Sequence, residues 1–426
     1  MPTIQDHPLR YKLANELHAR PFPVITSPCR AVFLAIKPEF DAASRDRAKD
    51  LEHLTDLLDR YGAAHPQPGA THYTGEIGQH LLKWEQHTEF VTYSVFIEGL
   101  SERPFDPADF DVFPSDWLEQ APGVRVTSAL IRMVEDTDEA RITSALRDWF
   151  VPESLAVSRI LDDTAIVAGD FRIDPAGHQR FAAFVERGVG QRRIGRIAQR
   201  LCEIETYKAM SMLGFSRVRE IAPHLGKIDA ELSRLMTEMT SASAPAEDTL
   251  STLLSVSAEL ESISAQTSFR FGATGAYEAI VEQRIEVLRE ERYGGRQTFA
   301  EFMMRRYDPA MRTVKSTETQ LNKMAQRAMR ASELLRTRVE VERSAQNQAV
   351  LQSMDRRADL QLRLQETVEG LSVVAISYYA VNLLTYGLFP VADVLGVEEI
   401  WLTAGLVPLV VFGVWSMVRR VRKRIR

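Results

Sequence analysis

The residue type with the most chemical potential near the start of this chain is histidine. Seven of its nine histidines, His7, His18, His53, His65, His72, His80 and His87, fall within the first 87 residues. In the stretch THYTGEIGQHLLKWEQHTEF, His72, Glu76, His80, Glu85, His87 and Glu89 crowd together. Imidazole and carboxylate together can bind a divalent metal or relay protons. His80 and His87 are therefore the candidate metal ligands, with a divalent cation as the candidate cofactor. No pair has the His-Glu-x-x-His spacing of a zinc enzyme, and surface or sheet-edge histidines are the plainer expectation. Upstream, DHPLRYKLANELHARP reads as a short helix capped by Asp6 and stopped by Pro21. Its Arg10, Asn15, His18 and Arg20 either meet a ligand or simply dock the helix. Arg187, Arg192, Arg193, Arg196 and Arg200 form a basic run that does not share one helical face, which suits pairing with acidic neighbours better than a phosphate site. The glycines of Gly188-Val-Gly190-Gln-Arg-Arg-Ile-Gly195 miss the dinucleotide-binding spacing by one residue and follow no strand signal. There is no Walker loop, Gly-x-Ser-x-Gly or kinase signature, so nothing points to an enzyme.

The elements that must position these residues divide the chain. Arg30–Lys37, Glu89–Glu98, Val124–Val134 and Ala156–Ile173 read as strands, and Ala42–Tyr61 as a helix with Leu51, Leu54, Leu57 and Leu58 at helical spacing. The acidic, Pro-containing stretch 101–122 reads as a surface loop. Residues 1–175 are thus expected to form an α+β domain. From Ala176 onward the pattern is helical, with breaks at Pro223, at the linker 241–248, at Gly272–Gly275 and at Gly294-Gly295. Residues 176–309 form a helical region. Residues 310–369 contain neither Gly nor Pro and predict one stalk helix about 90 Å long. Leu321, Met324, Ala328, Ala331, Leu335 and Val339 give it an apolar coiled-coil seam. A lone helix of that length is unstable in water, so it must pack on its own domain or on copies of itself, and a homo-oligomer is the natural outcome.

The last 57 residues differ from the rest. Leu371–Phe389 and Ile400–Val418 each run 19 residues without a charge, about one hydrocarbon core as helices. They predict transmembrane helices over 370–389 and 400–418, joined by an outer link at 390–399. Arg356, Arg357 and Arg363 precede the first span, and a basic tail over 419–426 follows the second. The link holds only Asp393, Glu398 and Glu399 as charged residues. The positive-inside rule then places both chain ends and the large domain in the cytoplasm, in a bacterial inner membrane. Arg419, Arg420, Arg422, Lys423, Arg424 and Arg426 suit anionic headgroups. Tyr378, Asn382, Thr385 and Phe389 share a face of the first span, as an interhelical contact or a pore lining. The acidic link residues would form an outer ring. Overall the chain carries 52 Lys and Arg against 58 Asp and Glu, which argues against a nucleic-acid partner. Cys29 and Cys202 lie far apart, as lone buried cysteines of a reducing compartment do.

Three stretches, HPLRYKLANELHARPFP, KWEQHTEFVTYSVF and SMDRRADLQLRLQETVEGLSVVAISYY, resemble a bacterial family of membrane-anchored proteins classed as a domain of unknown function. That resemblance implies no activity and assigns no site residues. The build is also similar to CorA-type divalent cation transporters: a cytoplasmic α+β domain, a long stalk running into the first of two C-terminal spans, an acidic link and a basic tail. That likeness implies a homo-oligomeric ion-transport or transport-derived protein. The Gly-Met-Asn that ends the first span in that family is replaced here by Gly387-Leu388-Phe389. The alternative is a membrane-anchored scaffold or regulator binding a protein or lipid partner.

Overall fold

A computed structural model describes residues 4–16, 21–40, 44–241, 244–395 and 398–425. The chain divides into two compact units. Unit 1 holds Met1–Ser241 and Ser251–Ala331, and unit 2 holds Ala242–Leu250 and Ser332–Arg426.

Unit 1 is built on nine strands: β1 (Cys29–Lys37), β2 (His72–Ile77), β3 (His80–Gln86), β4 (Val91–Glu98), β5 (Val124–Glu135), β6 (Ala156–Ile160), β7 (Ala165–Gly169), β8 (Gln179–Val185) and β9 (Glu291–Arg292). They form one sheet in the order β2-β3-β4-β1-β5-β8-β7-β6-β9. Every pairing is antiparallel except β5 with β8. Helices cover both faces, so the central strands are apolar on both sides rather than alternating. Residues Val32, Leu34 and Ile36 of β1 face one core, with Leu54, Leu57 and Leu58 of α2 (Arg47–Arg60), Trp117 of α3 (Ser115–Glu119) and Ile142 and Leu146 of α4 (Glu139–Trp149). Their neighbours Ala31, Phe33 and Ala35 face the other core. It is filled by α5 (Gln191–Ser241), the end of α6 (Ala246–Glu286), α7 (Phe299–Arg306) and the start of α8 (Asp308–Leu395). A short α1 spans Arg10–Glu16.

The α+β expectation holds, with local corrections. The stretch 156–173 is a hairpin rather than one strand, because Leu161, Asp162 and Asp163 turn the chain at positive φ. Residues 101–122 are not a bare surface loop. They hold a 3-10 turn and α3, and bury Phe105, Phe110, Phe113 and Trp117. Strand β8 lies beyond residue 175, in the middle of the sheet. Pro223 and Gly272–Gly275 do not break α5 or α6.

The predicted seam is buried. Leu321, Met324, Ala328 and Ala331 of α8 lie within unit 1, where Arg327 reaches Asp229 of α5 at 3.3 Å and Lys315 reaches Glu278 of α6 at 2.8 Å. In unit 2, Leu335 and Val339 are buried, as are Ala246 and Thr249, and Arg343 pairs with Glu247 at 2.7 Å. Residues 340–368 of α8 are all exposed. Helix α8 continues through Pro390 to Leu395, and α9 runs Glu399–Ile425.

His53 shows how the second core treats a titratable group. Its Nδ1 accepts from the Tyr93 hydroxyl at 2.9 Å, its Nε2 donates to the Trp117 carbonyl at 3.1 Å, and its ring stacks on Trp117. Burial holds its pKa below the ordinary 6.5. The folded state therefore binds fewer protons than the unfolded chain as pH falls below 6.5, and that part of the stability is lost in this direction. His178, also depressed mainly by burial, has the same sign. The wild-type melting temperature is expected to drop more than that of His53→Gln between pH 7.5 and 5.5. Equal drops would show that His53 does not titrate against folding.

Candidate functional site

The alternation of β3 sorts its side chains. Leu82 and Trp84 enter the α2–α4 core, and Lys83 and Glu85 point to the α5 side. Register places Ser94 beside Lys83 and Thr92 beside Glu85 on β4, with Phe33 of β1 next to Ser94. Above this floor, Gln199, Cys202, Glu203 and Thr206 share one face of α5 at three- and four-residue steps. Arg284 closes one side from the end of α6, and Phe22 stands at the margin. The pocket, partly open to solvent, has a volume of about 220 Å³.

Its polar groups form a chain. Lys83 Nζ donates to Gln199 Oε1 at 2.7 Å and lies 3.2 Å from Glu85. Gln199 Nε2 donates to Glu203 at 2.7 Å, and Arg284 Nε pairs with Glu203. Two cations thus face two carboxylates. The Thr92 and Ser94 side chains are over nine-tenths buried, and their hydroxyls have no hydrogen-bond partner among the described residues. Phe33 and Phe96 give the pocket apolar wall, and Phe90, His87 and Tyr207 give it aromatic wall. The Cys202 thiol is pushed up by burial and stays protonated, a small apolar group rather than a nucleophile. Cys29 behaves alike, its thiol raised to about 12.

The segment 21–26 crosses the first turns of α5 at Gly195. A Cβ there would lie 1.8 Å from the Pro23 carbonyl oxygen. The glycine that resembled part of a nucleotide loop is the seat of this strap. Phe22 then lies under the Arg196 guanidinium, 5.2 Å from its ring.

Strand geometry separates the two candidate metal ligands. His80 opens β3 and His87 lies just past its end, about 23 Å apart at 3.3 Å per residue, too far to share an ion. No group of three His, Cys, Asp or Glu among the described residues is placed to hold a metal. His72 and His80 each keep a buried Nδ1 without a partner. His18 and Arg20 lie outside the described residues. Of the arginine run, Arg187 approaches Glu135 at 3.7 Å, Arg193 reaches the Thr164 hydroxyl at 3.4 Å and Arg200 the Val287 carbonyl at 3.1 Å.

In unit 2 the covered stripe of α8 is Val373, Ser377, Val381 and Thr385, at four-residue steps. Thr385 is buried and Asn382 half-buried, but Tyr378 is exposed, so it does not share their surroundings. The matching stripe of α9 is Leu402, Leu406, Val410, Val414 and Val418, all half-buried. Glu398, Arg419 and Arg420 are exposed, and Arg419 lies over the Trp415 ring at 5.0 Å. The side chains of Asp393, Glu399, Arg422, Lys423 and Arg424, and the whole of Arg426, lie outside the described residues. Two helices are long and apolar enough to cross a membrane, in Asp308–Leu388 and Ile400–Val421. Only 17% and 0% of their most apolar windows are buried, unlike the core helices of a soluble protein.

No curated protein and no solved structure matches this chain. The likeness to CorA-type transporters accordingly finds no support. One family model, described as a protein of unknown function (DUF3422), matches residues 5–425. The chain belongs to this DUF3422 family.

Proposed function

We propose that this is a membrane-anchored binding protein, held in the bilayer by α9 and the last turns of α8 and carrying a small-ligand pocket in unit 1. The observation that carries the anchor is the uncovered apolar surface of two consecutive helices, which could remain in water only at a large hydrophobic cost. Their flanks support an orientation with both chain ends on the cytoplasmic face of a bacterial inner membrane: Arg356, Arg357, Arg363 and the basic tail on one side, Asp393, Glu398 and Glu399 on the other. The exposed helix 340–368, with Leu351, Met354, Leu362 and Leu364 open to water, favours a second copy alongside it. A second reading, passage of a divalent cation, rests on one observation. The Ser377 and Thr385 hydroxyls are buried without partners on the same face of the first span, next to Asn382.

Alkaline extraction of membranes from expressing cells tests the anchor. The full-length protein should remain in the pellet and a reporter fused after Arg426 should be active only inside. Recovery in the aqueous fraction, or an active reporter outside, would end this reading. Flux of Mg²⁺ into liposomes that Asn382→Leu abolishes would replace simple anchoring with transport.

A further inference from the structure

We propose that the unit 1 pocket takes a small zwitterion, a molecule of the free amino-acid class carrying one carboxylate and one ammonium group. This rests on the reading of unit 1 as a ligand-binding unit and names what it binds. Size sets the first limit. A volume of about 220 Å³ lies below the 300–1,000 Å³ of drug-sized sites.

Charge sets the second. Lys83 and Arg284 face Glu85 and Glu203, so the lining sums to zero. A phosphate would meet two carboxylates, and a divalent cation or polyamine would meet two fixed positive groups. A purely apolar ligand would take water from these four charges and offer their remaining donors and acceptors nothing beyond the pairs they already form. A zwitterion matches both signs at once. Its carboxylate can take the ammonium of Lys83 and the outer guanidinium nitrogen of Arg284. The Arg284 Nε and Nη1 are spent on Glu203 and Gln283. Its ammonium can take Glu85, which uses one oxygen on Lys83, together with Glu203.

The hydroxyls of Thr92 and Ser94 are the third observation. They sit on the sheet floor directly across from Glu85 and Lys83, over nine-tenths buried and with no protein partner. Their oxygens open into the pocket rather than being sealed in the core, so each is free to donate to a carboxylate or accept from an ammonium. The flanking Phe90 and Tyr207 rings offer an apolar side chain or the ammonium an aromatic face.

The test uses the full-length protein in detergent micelles, followed by thermal shift and calorimetric titration. The probes are the twenty amino acids one at a time, inorganic phosphate, MgCl₂ and spermidine. At least one amino acid should raise the melting temperature by several degrees at millimolar concentration. Its N-acetyl and carboxamide derivatives should not. Glu85→Gln and Arg284→Gln should each weaken that binding at least tenfold. Ser94→Ala, which keeps both ion pairs and the sheet intact, should weaken it several-fold and shows that the loss is not one of folding. A shift produced by phosphate, Mg²⁺ or spermidine instead would overturn the zwitterion while leaving a binding pocket. No shift from any probe would overturn both the zwitterion and the pocket.

Discussion

Replacing Glu89 with alanine should destabilise unit 1 by about 3–5 kcal/mol, because it strips the anion from a buried charge cluster. Glu89 is fully buried just before β4. It holds both outer nitrogens of Arg270, one of them at 3.4 Å, and accepts from the Tyr277 hydroxyl at 2.9 Å. Both partners belong to α6, so this one carboxylate ties that helix to the sheet. Burial, followed by the charge of Glu89, raises the Tyr277 phenol. The Lys37 ammonium is pushed down by burial and then by Arg270, and Glu89 opposes that. Without Glu89, the neighbouring Arg270 and Lys37 cations lose the buried carboxylate that opposes their charge. At about 1–2 °C per kcal/mol for a unit as large as this one, the melting temperature should fall by roughly 5–8 °C. A paired Glu89→Met, Arg270→Met variant removes both charges and should recover most of that loss, since an apolar replacement of a buried pair is often close to neutral. A single Glu89→Ala variant that melts within about 2 °C of the parent would show that Arg270 simply turns to water.

The runs of β1, β4 and β5 and the seam from Leu321 to Val339 were legible because each carries its own period. The hairpin of β6 and β7 was not, because its turn uses Leu161, Asp162 and Asp163 at positive φ in place of the glycine that marks such turns. The four aromatics at 105, 110, 113 and 117 were a signal that the stretch 101–122 packs, outweighed in the reading by its aspartates. Helices α5 and α6 run through Pro223 and Gly272 because buried partners along their length outweigh a local propensity cost of about 1–3 kcal/mol. The pocket was out of reach for a different reason. HLLKWEQ alternates visibly, but its polar half reads as a solvent face. Only the fold lays Gln199 and Glu203, more than 110 residues away, over Lys83 and Glu85. The histidines drew attention by their number, and strand spacing then separated them.

Two glycines of the same helix should respond to alanine with opposite signs. Gly195 and Gly226 both lie inside α5, where alanine is intrinsically favoured by about 0.5–1 kcal/mol. At Gly226 nothing lies within 4 Å of an added Cβ, so Gly226→Ala should stabilise by roughly that amount. At Gly195 the added carbon would sit 1.8 Å from the Pro23 carbonyl oxygen and 2.8 Å from its carbon. Both are backbone atoms that no rotamer change can move aside, so either the strap or the helix must shift by more than 1 Å. Overpacking of this kind costs about 1–3 kcal/mol. The strap is also held at Ile25, which is buried and donates its N–H to the Gln191 carbonyl at 3.5 Å. Lifting it would expose Ile25 and carry Phe22 away from the pocket margin. Gly195→Ala should therefore lower the melting temperature where Gly226→Ala raises it, and should open the chain to protease within residues 21–27. Matched behaviour of the two variants would mean that the strap does not rest on α5, and the margin of the pocket would have to be redrawn.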